Sequence, residues 1–373
     1  MILIVGAGPA GLAMAHELQT HTLEYQVLER HEVGYAWQNH YDRLHLHTLK
    51  QVSALPGLPM PEEYPDFPSA QEHHAYLQHY AQHFDLNIRS GVDVLRAAWD
   101  EQEYRWTLET SQGAMQCDIL IAATGIWSTT YQPIFGGEQE FGGTILHARD
   151  YRNAEPFQGK RVLVVGAGNT GTEIAVDLSE QGIDTAIAIR EGVTFVDYPR
   201  SATAMKLLAW SMRHIPPAAG ERLLHMVRRD FSHLGIYPPQ KPLMEVYPVV
   251  GYEFPQAVEA GNVTVYGGID QFLPGGVRFT DDLMSFFDAV IMATGYRPSV
   301  QFVAQEVDRN GQGHPHVDRY WRSTRNPNLY CVGYRYPATA GWLQTIGRVV
   351  KQVGRDIRKR LKKEHRFQQT RSH

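Results

Sequence analysis

The chain has 373 residues, 43% hydrophobic and 20% charged, with a formal net charge of −5. That size and balance predict a globular protein of two domains, or one large domain carrying an insertion, with a sizeable core. No stretch approaches the roughly 18 apolar residues of a membrane span, and the MILIVGAG start has no basic n-region or cleavage site, so the cytoplasm is the expected compartment.

In chain order, ILIV predicts a short apolar strand, GAGPAG (6–11) a tight turn, LAMAHELQ a helix, and YQVLER a second strand closing on Glu29 and Arg30. A GxGxxG loop between strand and helix, with an acid about 20 residues on, predicts a dinucleotide seat. Gly6 makes the turn, Gly8 lets backbone approach a pyrophosphate and Gly11 lets helix and strand pack closely. Pro9 and Ala10 open the helix, whose unpaired N–H groups suit phosphates. Glu29 is expected to accept hydrogen bonds from ribose hydroxyls, with Arg30 beside it.

Residues 88–121 then predict a β-meander, IRSGVDVLRAAW, YRWTLET and AMQCDILIAA, ending in Ala-Thr-Gly at 123–125. The stretch FGGTILHARDYRN (141–153) shows no strong strand or helix pattern and is expected to be a connector. The first pattern returns at residue 161: RVLVV as strand, GAGNTG (166–171) as loop with Gly166, Gly168, Asn169, Thr170 and Gly171, then a helix and the strand TAIAIR. That strand closes on Arg190 where the first copy has Glu29. A carboxylate repels a 2′-phosphate and a guanidinium can hold one, so the first loop suits FAD and the second NADPH. Arg200 is a second candidate for that phosphate.

Residues 195–256, rich in Pro, Met, aromatics and Arg, are expected to be helices and loops over the second domain. NVTVYGGIDQFLPGGVRF predicts a hairpin, and FDAVIMATGYRPS a strand ending in a second Ala-Thr-Gly. Small residues at these strand ends, Thr124 and Gly125, then Thr294 and Gly295 before Tyr296, let the backbone run close to a cofactor. They also mark where the chain passes between domains.

Cys117 and Cys331 lie far apart in apolar runs and read as buried small hydrophobes. No CxxC dithiol is present, and the usage fits a reducing compartment. His79 and His83, spaced i, i+4 without HExxH or clustered acids, read as a solvated helical face, so no metal site is expected. Residues 346–373 carry ten Lys or Arg against two acids, a local +8 that leaves −13 for the rest. This tail is expected to be a solvated helix with a frayed end rather than a nucleic-acid contact.

With these pieces in order, the chain resembles the class B flavin-dependent monooxygenases. The fingerprint F-x-G-x-x-x-H-x-x-x-[YF]-[KR] falls on Phe141, Gly143, His147, Tyr151 and Arg152. Residues 41–84, ATGY at 293–296 and LYCVGY at 329–334 look like the plant auxin-biosynthetic branch and compact bacterial members. The resemblance implies an α/β fold of two Rossmann-like dinucleotide-binding domains, FAD and NADPH, the second inserted in the first. The boundaries expected are 1–152 with 296–373 for FAD and 153–295 for NADPH.

It also implies a linker role beside the cofactor for 141–152, with His147 close to it, and a flavin-side Trp37. His47 stands where many animal-type members have an Asn that contacts flavin and nicotinamide. His45 and His47 alternate on an extended segment, so only one faces the flavin, and His47 is chosen by family position. Asn169 and Gln344 (in AGWLQTIG) are further candidates for flavin-side polar groups, and Val94 and Gly333 complete the residues expected at the cofactors. The departures also inform: Tyr151-Arg152 stands where typical Baeyer–Villiger enzymes have Trp-Pro or Trp-Asp, and the hydrophobic C-terminal anchor of animal microsomal members is absent.

The reaction implied takes hydride from NADPH, or NADH as in some compact relatives, and adds O2 to reduced flavin as a C4a-(hydro)peroxyflavin. Oxygen then passes to a sulfide, an amine or a carbonyl. The alternatives are a flavin reductase or diaphorase, and a flavin-binding redox sensor without turnover. The partner expected is a small-molecule substrate, with no membrane span, and a homodimer is compatible with the sequence.

Overall fold

The computed structural model describes residues 1–243, 246–334 and 342–371. The chain divides into two compact units: Met1–Gln38 with Lys50–Thr129 and Tyr296–His373, and Asn39–Leu49 with Thr130–Gly295.

The first unit is built on a five-stranded parallel sheet in the order Leu329–Cys331, Ile119–Ala122, Ile2–Val5, Tyr25–Glu29, Ile88–Ser90. Ile2–Val5 and Ile119–Ala122 are buried at every position, because a parallel sheet is covered on both faces and has no use for alternation. Helix α1 (Pro9–Thr20) covers one face and buries Leu12, Ala13, Met14 and Leu18. The meander Val94–Asp100, Arg105–Thr110, Gly113–Cys117 supplies Trp106 and Leu108 to a core shared with Leu3, Leu28 and Leu120. Ile88–Ser90 and Ile119–Ala122, expected in that meander, belong to the parallel sheet instead, since their partners are Tyr25–Glu29 and Ile2–Val5. Helix α2 (Ala70–His83) starts at a capping box, Ser69 Oγ accepting from Glu72 N–H while Glu72 Oε2 accepts from Ser69 N–H. It buries Tyr76 and Tyr80 and leaves His79 and His83 exposed.

The second unit repeats the plan, with strand order Val263–Tyr266, Asp184–Ala188, Arg161–Val165, Ala289–Met292, Thr144–His147, all parallel. Helix α3 (Asn169–Glu180) packs Ile174, Ala175 and Leu178 on this sheet. Val263–Tyr266, expected in a hairpin, is the sheet's edge strand, and the antiparallel piece is Ile269–Leu273, Gly276–Phe279 and Met284–Phe286. The stretch 195–256 holds helices Ala202–His214, Pro217–Val227 and Glu253–Glu259, and pairs Phe195–Val196 with Val249–Val250.

The second compact unit spans Thr130–Gly295 and also takes Asn39–Leu49. The physical reason is pairing and burial. Thr144–His147 bonds to Ala289–Met292, and Phe141 sits edge-on to Phe272, 5.4 Å between ring centroids, in the second unit's core. FGGTILHARDYRN is therefore a strand and its flanks, not an unpatterned connector.

Candidate functional site

In the first unit the chain turns at Gly6 with φ +106°, a region that favours glycine, and enters α1 through Gly8. A Cβ on Gly11 would stand 1.8 Å from the Gly6 carbonyl oxygen, whereas one on Gly8 would meet nothing within 4 Å. Gly11 is thus fixed by the polypeptide itself, and Gly8 faces open space. The α1 start has no side-chain cap, so its first N–H groups are available to an anion. Pro9 and Ala10 are buried at the helix start.

Glu29 Oε2 accepts from Ala7 N–H at 2.7 Å and Oε1 accepts from His31 N–H at 2.9 Å, which holds the carboxylate at the mouth of the loop. Arg30 beside it is exposed. The first Ala-Thr-Gly lies against the loop, and the Ala123 carbonyl oxygen is 2.7 Å from where a Gly6 Cβ would stand. Thr124 is occupied structurally: its N–H and hydroxyl meet the Tyr334 hydroxyl at 3.2 and 2.6 Å, and its hydroxyl donates to the Ser299 carbonyl. Gly125 and Gly333 have φ of +76° and +83°. Trp37 packs edge-on to buried His73 at 4.3 Å. Gln344 is half-buried in the first turn of the helix Trp342–Arg371, and Tyr296 is half-buried. Val94 is a core residue of the meander.

The second unit reproduces the loop. Gly166 has φ +105°, a Gly171 Cβ would stand 1.9 Å from the Gly166 carbonyl oxygen, a Gly168 Cβ would meet nothing within 4 Å, and α3 starts without a side-chain cap. The Ala293 carbonyl oxygen lies 2.6 Å from a Gly166 Cβ position, as Ala123 does at the first loop. The Thr294 hydroxyl donates to the Tyr131 carbonyl at 2.5 Å, and Tyr131 N–H donates to the Gly295 carbonyl at 2.9 Å. Thr170 is half-buried.

Asn169 has a different occupation from the one expected. Its Oδ1 accepts from Val250 N–H at 2.9 Å and its Nδ2 donates to the Pro248 carbonyl at 3.2 Å, so its amide ties residues 248–250 to the loop. Arg190 is 76% exposed and pairs with Glu191 at 3.0 Å, and Arg200 is exposed.

The fingerprint residues are structural within this unit. A Gly143 Cβ would stand 2.5 Å from the Asp288 carbonyl oxygen. His147 is buried with both ring nitrogens on backbone: Nδ1 accepts from Arg149 N–H at 3.0 Å, and Nε2 meets the Gly295 carbonyl at 3.2 Å. Burial holds its pKa below the ordinary histidine value, with the Gly295 carbonyl acting against that fall. His147 was expected at the cofactor because of its place in the fingerprint; the structure gives its ring to the turn after Thr144–His147. The Tyr151 hydroxyl donates to Asp177 of α3 at 2.5 Å, and Arg152 Nη1 donates to the Asn39 carbonyl at 2.6 Å.

These contacts carry segment 39–49. Asp42 N–H donates to the Arg152 carbonyl at 2.9 Å, and Asn153 Nδ2 donates to Asp42 Oδ2 at 2.9 Å. Arg43 reaches Glu180 and, at 2.7 Å, Glu253. The Tyr41 hydroxyl donates to Glu173 Oε2 at 2.6 Å, and His47 Nε2 meets Glu173 Oε1 at 2.5 Å. His45 turns the other way, exposed, with Nδ1 on the Arg43 carbonyl at 2.7 Å. Glu173, Tyr41 and Asp177 were not singled out in the sequence. The available signal was the i, i+4, i+7 spacing of Glu173, Asp177 and Glu180 on one helical face.

Both cysteines are buried and burial pushes each thiol up to about 12, so neither supplies a thiolate near neutral pH. Among the described residues no group of three or more His, Cys, Asp or Glu is arranged to hold a metal, and no helix is long and apolar enough to cross a membrane.

Two parallel sheets, each opening through an uncapped glycine loop into a helix, define a protein with two dinucleotide-binding folds. Residues 3–213 match the family described as pyridine nucleotide-disulphide oxidoreductase. The chain is 33% identical over 375 residues to indole-3-pyruvate monooxygenase YUCCA1 of Oryza sativa subsp. japonica, covering 94% of this chain and 90% of that one. It is 34% identical over 366 residues to indole-3-pyruvate monooxygenase YUCCA8 of Oryza sativa subsp. indica, with 89% and 85% covered. A flavin-containing monooxygenase from Stenotrophomonas maltophilia shares the fold with a TM-score of 0.76 at 24% identity, covering 96% of this chain and 98% of that one. Within the matched family, the chain belongs to the class B flavin-dependent monooxygenases. With that membership go NAD(P)H-dependent oxidoreductase activity and the cofactors FAD and NADPH, with O2 as co-substrate.

Proposed function

We propose that the first unit seats FAD and the second NADPH, and that the enzyme transfers one oxygen atom of O2 to a small substrate while the other leaves as water. The observation that carries this reading is the pair of loops with one backbone and two different strand ends: Glu29 held at the first loop, Arg190 exposed at the second. The pyrophosphate of each nucleotide meets the uncapped helix start over Gly8 or Gly168, where a side chain would intrude. Glu29 receives ribose hydroxyls, and Arg190 exchanges Glu191 for the 2′-phosphate. Arg30 and Arg200 are exposed beside these seats.

Bound FAD supplies hydride acceptance and oxygen transfer; the chain orients the nicotinamide, excludes water and offers polar groups. Trp37, Gln344 and Gly333 of the first unit are the flavin neighbours of this reading. Asn169 acts through residues 248–250, which its amide holds.

The substrate is a soft nucleophile, sulfide or amine, or a carbonyl. The carbonyl arm is favoured because the rice relatives are named for indole-3-pyruvate, a 2-oxo acid. The test begins with anaerobic NADPH, which bleaches the flavin at a catalytic rate. Reoxidation is then followed in a stopped-flow cell with indole-3-pyruvate, a thioether and a tertiary amine as probes. Oxygen from 18O2 in one product supports a monooxygenase; reoxidation that yields only hydrogen peroxide with every probe, and rapid electron delivery to a quinone, would establish the reductase instead.

A further inference from the structure

In the second unit the Glu191 carboxylate stands between two cations. Its Oε1 accepts from Arg190 Nη2 at 3.0 Å, and its Oε2 lies 3.7 Å from Lys241 Nζ. Each oxygen thus faces a different cation, and the two cations come from segments far apart in sequence.

Backbone contacts bring those segments together. Val193 N–H donates to the Tyr237 carbonyl at 2.8 Å. A Cβ on Gly192 would stand 1.9 Å from the Pro238 carbonyl oxygen, so only glycine lets the two stretches lie this close. Lys241 follows shortly after that contact. At the strand end, Ile189 N–H donates to the Tyr266 carbonyl at 2.9 Å, which ties the residue before Arg190 to the edge strand. A Cβ on Gly268 would come within 3.3 Å of Arg190 Cγ, so the arginine stem rests against bare backbone. Arg190 and Lys241 are therefore both carried on anchored chain, while their charged heads and Glu191 stay more than half exposed.

Two cations around one carboxylate leave a local surplus of one positive charge. A phosphate monoester carries about −1.5 to −2 near neutral pH, which the two cations together match. As a staple the cluster would be redundant: backbone already holds 192–193 on 237–238, and exposed pairs add little.

We propose that Lys241 is a specificity-determining residue for NADPH: with Arg190 it forms a two-cation clamp on the 2′-phosphate, and Glu191 is the internal stand-in that the phosphate displaces. The proposal rests on the reading of Arg190 given above. The exchange breaks only exposed charge contacts, so it costs little. NADH, with a free 2′-hydroxyl, has no charge there with which to displace the carboxylate. Lys241 lies in the stretch 195–256, which carries no nucleotide signature in the sequence.

The experiment titrates the FAD-loaded enzyme with 2′,5′-ADP and with 5′-AMP in a calorimeter, two probes that differ in the 2′-phosphate and require no turnover. Lys241→Ala is expected to weaken 2′,5′-ADP on the order of fivefold, the size of an exposed charge contact, and to leave 5′-AMP unchanged. That loss should shrink as salt is raised, because exposed charges are screened. Lys241→Arg, which keeps the charge, returns the affinity toward wild type. If Lys241→Ala binds 2′,5′-ADP as wild type does while Arg190→Ala loses it, the proposal is overturned and Arg190 reads the phosphate without it. Equal weakening of both probes by Lys241→Ala also overturns it, since the effect then lies away from the 2′-phosphate. If neither variant changes 2′,5′-ADP binding, the reading of the second strand end has failed and the proposal falls with it.

Discussion

The two glycine loops share a backbone and differ in what surrounds it. Their first glycines have φ of +106° and +105°, and their third glycines would place a Cβ 1.8 and 1.9 Å from a carbonyl oxygen. Around the first, Glu29 is pinned by Ala7 N–H, and Pro9 and Ala10 are buried. Around the second, Asn169 holds residues 248–250, and Arg190 stands 76% exposed against Glu191. The loop's conformation thus answers to strand–helix packing, while the difference in charge lies at the strand end, outside the loop.

The largest expected effects separate those two roles. Gly11→Ala or Gly171→Ala forces backbone apart and is expected to cost more than about 4 kcal/mol, read as insoluble or non-cooperatively melting protein. A Cβ at Gly8 meets nothing within 4 Å, so Gly8→Val should fold with a near-native circular dichroism spectrum yet purify without flavin. A yellow Gly8→Val enzyme would remove the first loop as the FAD seat.

Next, Arg190→Ala is expected to raise KM for NADPH about tenfold, the loss of one exposed charge-assisted contact, with KM for NADH nearly unchanged. Equal shifts for both would show that Arg190 does not read the 2′-phosphate.

A pH dependence follows from the two histidines of segment 39–49. His47 has a raised pKa, so its contribution to stability is complete below the ordinary histidine value and fades as pH rises through the raised one. His40, lowered to about 4, acts in the opposite sense: its contribution is present above the ordinary value and lost as pH falls toward 4, by at most about 3 kcal/mol. The melting temperature should peak near the ordinary histidine pKa, and Glu173→Gln should flatten only the alkaline side. The smallest effect is Glu191→Gln, which frees Arg190 from a surface pair and is expected to lower KM for NADPH two- to threefold, about 0.5 kcal/mol.

Much of the fold was legible because it is written in short-range patterns. ILIV-GAGPAG and RVLVV-GAGNTG combine buried strand, turn and helix within about a dozen residues each, and local sterics determine the rest. The Ala-Thr-Gly repeats were legible as close approaches, and the structure supplies the object approached: Ala123 and Ala293 back the first glycine of each loop. The stretch 141–153 was misjudged from pattern alone because a four-residue strand whose pairing lies far along the chain has too short a period to read.

The sequence by itself determined the fold class, the family and the opposition of Glu29 to Arg190, since glycine spacing and side-chain charge are properties of neighbouring residues. Only the tertiary structure decided that 39–49 joins the second unit, that His147 and Thr294 bond to distant backbone carbonyls, and that Tyr41 and His47 share Glu173. Those pairings span 126 to 163 residues of chain, and contacts at that separation are set by how whole elements pack, which no local pattern records.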